Sequence, residues 1–259
     1  MSYIANKDFC LEVALGNVSG YSCINKFGQA PDADSGTLTD VWDGADGTTS
    51  TDIWVAPTAA RVHAIVSNDT NDTSAGTGLQ TCRVYGLTDW DTAETSEVVS
   101  MNGTTPVNTS SSYVIIHRMK SLTFGSGGTN AGIVTATAAT DSTITAAIQA
   151  GEGQTLMAIY GVPSTQTLHL TQIYASVLKS IGVGAVKVDA TLLVKENADL
   201  ATSGFITKER FQYTDQNSLH RDYCPVKSVT GPAIVKMQVE TNVANSVATA
   251  AFDAYLVNN

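Results

Sequence analysis

The chain has 259 residues, of which 43% are hydrophobic and 15% are charged, and it carries a net charge of −10. That hydrophobic fraction is enough for a packed interior and excludes a disordered chain. An acidic chain without a basic stripe is a poor match for nucleic acid, and no apolar run approaches the roughly 20 residues of a membrane-spanning helix, so we expect neither nucleic acid nor membrane as a partner.

The N-terminus and the cysteines indicate folding in a reducing cytoplasm. Residues 1–7 lack the basic and then apolar pattern of a secretory signal. The cysteines lack the tight, recurrent spacing of a disulfide framework or a zinc site. We therefore expect free thiols at Cys10, Cys23, Cys82 and Cys224.

The first part of the chain predicts an extended arm followed by loops. Leu11 and Val13 precede a glycine-bounded turn, and we assign residues 1–30 to an N-terminal arm. The segments Gly28–Gly36 and Asp43–Gly47 are rich in residues that adopt positive φ or form Asx turns, which predicts loops.

From Arg61 onward, apolar and polar residues alternate in short runs separated by turn residues, which is typical of half-buried β-strands. Threonine, at about one residue in eight, suits solvent-facing strand positions. The first series of runs ends at the glycine-rich segment Gly125–Gly132. Its predicted strands are 62–66, Leu79–Gly86, Glu94–Met101 and Tyr113–Phe124.

A second series of alternating runs begins near Thr143. The run that begins at Leu168 is also long enough for a helix, but its β-branched and aromatic residues favour a strand. The predicted strands of this series are Thr143–Ile148, Leu156–Val162, Leu168–Leu178, Ala185–Lys195, Phe205–Tyr213, Val235–Val239 and Ala250–Val257.

The spacing of these strands, about 8–15 residues, matches an antiparallel sandwich or barrel. We predict an all-β protein with two jelly-roll-like β-sandwich domains preceded by an extended N-terminal arm. The predicted boundaries are 1–30 for the arm, 31–140 for the first sandwich and 141–259 for the second, which is the more jelly-roll-like of the two.

Acidic residues crowd two segments and raise the question of a calcium site. Calcium prefers several carboxylate and carbonyl oxygens from a flexible loop. The order Asp-x-Asp-x-Gly at residues 32–36 lacks the third oxygen ligand and the following glycine of a known calcium loop. Solvated turns are the favoured interpretation for Asp32, Asp34, Asp40, Asp43, Asp46, Asp69 and Asp72.

No catalytic or cofactor motif emerges from the sequence. The segment His220-Arg221-Asp222 lacks the glycine-rich loop and lysine strand that would make it a kinase catalytic loop. Gly182-Val-Gly184 lacks the third glycine of a dinucleotide turn, and a nucleophile elbow and a P-loop are absent from the sequence. His63, His117 and His169 lie singly. We predict no enzyme activity, no catalytic or metal-binding residues and no cofactor.

The three tryptophans, Trp42, Trp54 and Trp90, lie in loop-rich sequence. Exposed aromatic rings in loops can stack on sugars, whereas buried rings serve as packing. Packing in a core or an interface is the favoured interpretation, and sugar recognition stays open as the alternative.

Several segments spread over nearly the whole chain carry a family resemblance. The segments are Gly20-Tyr-Ser-Cys-Ile-Asn-Lys-Phe-Gly28, Val41-Trp-Asp-Gly44, Met101-Asn-Gly-Thr-Thr-Pro-Val107, Gly127–Gly132, Gly153–Pro163 and Phe252-Asp-Ala-Tyr-Leu-Val257. They resemble a family of virion structural proteins of tailed bacteriophages, especially marine and cyanobacterial ones, which has no catalytic motif to carry over.

The resemblance implies a non-enzymatic structural protein of a phage virion, made in the host cytoplasm, and we expect it to decorate or cement the capsid. The alternative is a head–tail neck protein, or a tail or head appendage that binds a host-surface glycan. Adjacent apolar residues, as in Val114-Ile-Ile116 and Leu192-Leu-Val194, imply strands covered on both faces. We therefore expect a homo-oligomer, preferably a trimer, in contact with the major capsid protein or other virion proteins.

Overall fold

The computed structural model describes residues 8–44, 51–178, 185–215 and 218–259. Within these ranges the chain forms one short helix, α1 (Phe9–Ala14), and sixteen strands. The prediction of an all-β protein is confirmed. The strands are β1 (Tyr21–Ala33), β2 (Thr39–Asp40), β3 (His63–Ser67), β4 (Leu79–Leu87), β5 (Thr95–Ser100), β6 (Val107–Asn108), β7 (Ile115–Phe124), β8 (Val134–Ala138), β9 (Thr143–Ile148), β10 (Ile159–Val162), β11 (Gln166–Leu178), β12 (Lys187–Glu196), β13 (Phe205–Thr214), β14 (Leu219–Thr230), β15 (Ala233–Thr241) and β16 (Ser246–Asn258).

The strands form four antiparallel sheets. Sheet 1 has the order β1-β16-β11-β14, and sheet 2 has the order β10-β15-β12-β13 with the short β2 also paired to β15. Sheet 3 has the order β6-β3-β8-β9, and sheet 4 the order β5-β4-β7. In the described chain no helix is of the length and apolarity that crossing a bilayer requires.

Two clusters of buried side chains hold the sheets together. Sheets 1 and 2 supply the larger cluster, to which β12 contributes Val188, Ala190, Leu192 and Val194 at alternate positions. Period-two alternation puts these side chains on one face of the sheet. Sheets 3 and 4 supply most of the second cluster.

The two clusters meet at β10 and β15, which are buried on both faces. Tyr160 and Val235 belong to the cluster of sheets 1 and 2, whereas their neighbours Ile159 and Ile234 belong to the other. Every residue of β10 is buried, and β15 is buried at all but one position. Sheet 2 therefore supplies the junction between the two halves of the molecule.

The last ten residues of the N-terminal arm that we predicted, 21–30, belong to an edge strand of sheet 1. Strand β1 pairs with the last strand, β16, from Tyr21↔Val257 to Ala30↔Ala248. The predicted loop at Gly28–Gly36 is wrong over its first six residues, because β1 continues to Ala33. Pro31 lies where the register shifts, a position that suits a residue without an N–H to donate.

Strand pairing also divides the chain differently from the predicted boundary at 140/141. That boundary falls between β8 and β9, which pair with each other at Thr137↔Ile144. Sheets 1 and 2 combine β1 and β2 with β10 to β16, and the strands of sheets 3 and 4 lie between them in the sequence. A split into consecutive segments could not have captured this, because pairing between the two chain ends leaves no local signal.

Most of the predicted strands are present, including Leu168–Leu178, which lies within β11. Besides β1 and β8, the main omission is β14, the second edge strand of sheet 1, which is exposed at most positions and contains Pro225. Such a strand has little hydrophobic alternation for a sequence pattern to detect. The Gly182–Gly184 segment lies outside the described residues.

Candidate functional site

The acidic residues of the first segment do not converge. Asp40 lies fully buried in β2 and accepts a bond from Lys236 Nζ at 2.5 Å, while Asp43 accepts one from the backbone N–H of Leu156 at 2.9 Å. Asp46 is outside the described residues. In the described ranges, no three His, Cys, Asp or Glu side chains group closely enough to hold a metal ion.

In the second acidic segment, Asp72 forms hydrogen bonds to the backbone of two loops. The buried Asp72 carboxylate accepts bonds from the backbone N–H groups of Leu79, Ala131 and Gly132, at 2.6, 2.8 and 2.9 Å, and from the Ser67 hydroxyl at 2.6 Å. Burial raises the pKa of Asp72, but these hydrogen bonds outweigh it and the net pKa is lowered. Asp72 thus anchors the glycine-rich segment before β8 to the loop before β4.

The histidines have separate environments. His63 is buried, its Nδ1 lies 2.9 Å from the Arg61 carbonyl oxygen, and burial lowers its pKa to about 4. His169 of β11 has its Nδ1 2.9 Å from Ser228 Oγ, and His220 of β14 stacks on Tyr174 at 5.1 Å between ring centroids. His220 Nε2 lies 3.3 Å from Asp222 Oδ1 on the surface, whereas His117 belongs to a buried cluster of ionisable groups.

Two of the three tryptophans are core residues. Trp42 and Trp54 are 1% and 2% exposed, and their indole N–H groups donate to the carbonyl oxygens of Thr51 and Thr145. Trp90 is partly exposed and lines a cavity of about 650 Å³ between the halves of the molecule. We call this space the tryptophan cavity; its walls include Trp54, Trp90, Val114, Phe205, Ile234 and Lys236.

The tryptophan cavity is mainly apolar, and its wall contains one buried ion pair, between Lys236 and Asp40. The Lys236 ammonium bonds to Asp40 and lies 4.3 Å from the centroid of the Phe205 ring. Gln238 donates to the second oxygen of Asp40 at 3.0 Å. Burial raises the pKa of Asp40, although the charge of Lys236 opposes that shift. Asp40, Lys236 and Gln238 satisfy one another, and most of the remaining wall offers apolar and aromatic contact, with Lys195 and Asp199 as further charged groups.

A second space at the junction gathers ionisable side chains that are distant in the sequence. We call it the junction cavity, of about 230 Å³; its walls include Lys26 of β1, Tyr85 of β4, Glu94, His117 and Arg118 of β7, and Tyr160 of β10. Lys26 is 3% exposed and donates through Nζ to the His117 carbonyl oxygen. His117 Nε2 lies 2.5 Å from the partly exposed Glu94 carboxylate, and its ring packs on Tyr160 at 4.5 Å.

Burial perturbs the charges around the junction cavity. It lowers the pKa of Lys26 well below the ordinary lysine value, with the charge of Arg118 acting in the same direction. Burial also lowers the pKa of His117 and raises that of Tyr160. Perturbed groups of this kind gather at binding and catalytic sites and also in structural ion networks. The walls of the junction cavity present basic side chains and phenol groups to a ligand. Among these described residues we find no nucleophile paired with a general base.

Sequence reasoning missed this cluster because its members come from five separate segments. One signal was present in the sequence. Lys26 lies on the same strand face as Gly28 and Ala30, both of which are buried, so a charged residue occupies an inward position of β1. A lysine at an inward strand position is rarely buried without a specific partner.

A third candidate site is formed by one edge strand of sheet 1, β14, and one edge strand of sheet 2, β13. The edge strands β13 and β14 are exposed at most positions, and Glu209 of β13 bridges to Arg221 and Lys227 of β14 at 2.9 and 2.7 Å. Ile206 and Val226 are 46% and 44% exposed. Both strands are therefore long, partly apolar and uncovered.

Fold and site together define, in the described residues, an all-β protein with the tryptophan cavity, the junction cavity and the exposed edge strands β13 and β14. Comparison with models of known protein families finds no family that matches the chain. No curated protein is significantly similar to it either.

Proposed function

We propose that this chain is a non-enzymatic structural protein of a bacteriophage virion that decorates or cements the capsid. The observation that carries the assembly part of this proposal is the exposure of β13 and β14. Long edge strands present unpaired backbone groups that favour association, and single-chain proteins usually shorten or cover them. The resemblance of the segments between Gly20 and Val257 to phage virion proteins supplies the phage context.

The edge strands support self-association better than the apolar runs do. Ile115 and Ile116 are both buried inside the described chain, so this run is covered without a second subunit. In contrast, the first four residues of β13, Phe205–Lys208, are exposed on both faces of the strand. We propose a homotrimer that uses the β13 and β14 edges, with the major capsid protein as the further partner.

The finer architecture belongs to the same proposal. We propose that sheets 1 and 2 form one sandwich and sheets 3 and 4 another, each of the jelly-roll type. The sharing of one buried cluster by each pair of sheets supports this arrangement.

The tryptophan cavity favours a second candidate function. A neck protein, or a tail or head appendage that recognises a host-surface glycan, would use the partly exposed Trp90 ring as a stacking surface for sugar. Decoration remains our main proposal because Trp90 alone of the three tryptophans is accessible within the described chain.

The location on the particle is tested by cryo-EM of the intact virion together with quantitative mass spectrometry of copy number. Density for this chain over the whole capsid lattice, in many copies, is the expected result. Few copies confined to a vertex, the neck or the tail would contradict decoration and support the second candidate.

The oligomer is tested with Ile206→Lys, which places a charge on the exposed part of β13. Light scattering should show a trimer for the native chain and a monomer for this variant, with unchanged circular dichroism. Leu122→Lys, at a position that is 37% exposed on β7 of sheet 4, is the matched control and should stay trimeric. A monomeric native chain at all concentrations would contradict the proposed oligomer.

A further inference from the structure

Lys26 is a buried cation without a carboxylate partner. Two lysines are buried in the described part of the chain, Lys26 and Lys236, and each is at most 3% exposed. Lys236 has the Asp40 carboxylate at 2.5 Å, whereas Lys26 has one carbonyl oxygen, that of His117, and no carboxylate within 4.0 Å among the described residues. Since an ammonium carries three donors, this leaves a buried charge with most of its hydrogen-bonding capacity unused.

The surroundings of Lys26 add more positive charge. Arg118 and the exposed Lys120 line the same cavity, and Arg118 uses one Nη2 bond on the carbonyl oxygen of Asn25 at 2.8 Å. Glu94 is the one carboxylate among the lining residues, and it is bound to His117. Three basic side chains thus face one carboxylate, on a chain whose net charge is −10. A concave concentration of positive charge on an acidic protein draws anions to that place.

We propose that the junction cavity binds a small oxyanion, as a carboxylate or sulfate group, through Lys26, Arg118 and Lys120. A volume of about 230 Å³ is enough for one such group with several waters, because a water occupies roughly 30 Å³. The phenol groups of Tyr85 and Tyr160 supply further donors at the wall. The oxyanion is either a free ion or the acidic group of a sugar, and the inference does not rest on the proposed virion function.

Oxyanion binding in this cavity is coupled to proton uptake. Burial and Arg118 favour the neutral form of Lys26, and a bound oxyanion favours the charged form, so affinity should increase as pH falls. Protonation of His117 acts in the same direction. Burial raises the pKa of Glu94, but the bond and charge of His117 outweigh burial and lower that pKa, so Glu94 stays charged between pH 6 and 8. The titratable and charged groups that face Lys26 are Cys23 on its own strand, Tyr85, Glu94, His117, Arg118, Lys120 and Tyr160.

The test is isothermal titration calorimetry of the full-length protein with sodium sulfate, sodium acetate and sodium glucuronate, at constant ionic strength set with chloride. We expect saturable binding of at least one oxyanion, tighter at pH 6 than at pH 8. Preference for glucuronate over acetate would assign the site to a sugar acid, and equal affinity would assign it to a free ion.

Two variants and one control locate the binding. Lys120→Gln alters an exposed side chain and should weaken binding about tenfold, the effect expected for one charge-assisted hydrogen bond. Lys26→Met should abolish binding and its pH dependence. Lys187→Gln removes the same charge from the exposed face of β12 and should leave affinity unchanged. Absence of saturable binding by the native protein, or an equal loss in Lys187→Gln and Lys120→Gln, would overturn the proposal.

Discussion

At the residue scale, Asp43 is a buried carboxyl group whose environment disfavours its charge. Burial raises its pKa to about 7, against the lowering effect of the bond from the Leu156 N–H. The unfolded chain loses this proton near pH 4, so the folded state binds more protons between about pH 4 and 7. Asp43 therefore lowers the free energy of unfolding progressively as pH rises through that window.

Replacing the Asp43 carboxyl group by an amide should remove the cost of the buried charge to the free energy of unfolding. Asp43→Asn keeps an oxygen that accepts from Leu156 and removes the buried charge. We expect its free energy of unfolding at pH 8 to exceed that of the native protein by about 1–3 kcal/mol, with a smaller difference at pH 5. Urea unfolding at both pH values measures this, and an equal difference at the two values would contradict the mechanism.

Asp72 is the opposite case, a carboxylate stabilised in its charged form. Asp72→Ala leaves three backbone donors and the Ser67 hydroxyl without their acceptor, and should cost about 3–5 kcal/mol in the free energy of unfolding. Asp69→Ala is the control: Asp69 Oδ1 accepts only from Asn71, and we expect a loss below about 1 kcal/mol. Urea unfolding of both variants at pH 7 is the measurement, and similar losses would show that Asp72 is not the anchor.

The pH dependence of Asp72 has the opposite sign to that of Asp43. Because its folded pKa is lowered, its contribution is complete above the ordinary carboxyl pKa of about 4. That contribution is lost as pH falls through the lower folded pKa.

At the element scale, β1 is packed more closely than an edge strand usually is. A Cβ at Gly28 would lie 2.5 Å from Ala158 N and 2.6 Å from the Val41 carbonyl oxygen. The strand therefore passes the backbone at Val41 and Ala158 with no space for a side chain. Backbone atoms cannot move away as the end of a flexible side chain can. Glycine at this position allows β1, part of which we predicted to be an arm, to lie against β10.

Gly28→Ala should therefore destabilise the protein by more than about 2 kcal/mol. Gly204→Ala, where a Cβ meets nothing within 4 Å, is the matched control and should change stability by less than about 1 kcal/mol. Thermal unfolding followed by circular dichroism distinguishes the two. A neutral Gly28→Ala would mean that β1 is less tightly docked than described.

At the scale of the whole molecule, the two ends of the chain complete one sheet. Strand β16 lies between β1 and β11, and the Asn258 N–H donates to the Gly20 carbonyl oxygen at 2.9 Å. Helix α1 contacts this sheet from outside, where Phe9 packs edge-on against Tyr21 and Tyr255. An arm could be removed without harm, whereas an edge strand of the core could not.

Two truncations test this difference. Deletion of residues 1–16 removes α1 and should leave a cooperative unfolding transition close to that of the full chain. Deletion of residues 1–33 also removes β1 with the buried Ala30 and Ala33, and should abolish that transition. Circular dichroism and thermal unfolding report both, and native-like unfolding of the longer deletion would restore the interpretation of this segment as an arm.

The sequence by itself determined the class of fold and most of its strands. Period-two alternation is a local property of the chain, so the predicted runs Ala185–Lys195 and Ala250–Val257 cover most of β12 and β16 without knowledge of their partners. The same locality explains the missed β14, where exposure on both faces leaves no alternation.

Only the tertiary structure decided which strands pair and which side chains meet. The pairing of β1 with β16 joins positions more than two hundred residues apart, and nothing in either segment specifies the other. Lys26, Arg118 and Tyr160 likewise come from three strands of three different sheets, and burial at the junction is what turns ordinary residues into a charged cavity. Pairing and burial depend on the packing of the whole chain, and a local pattern does not record them.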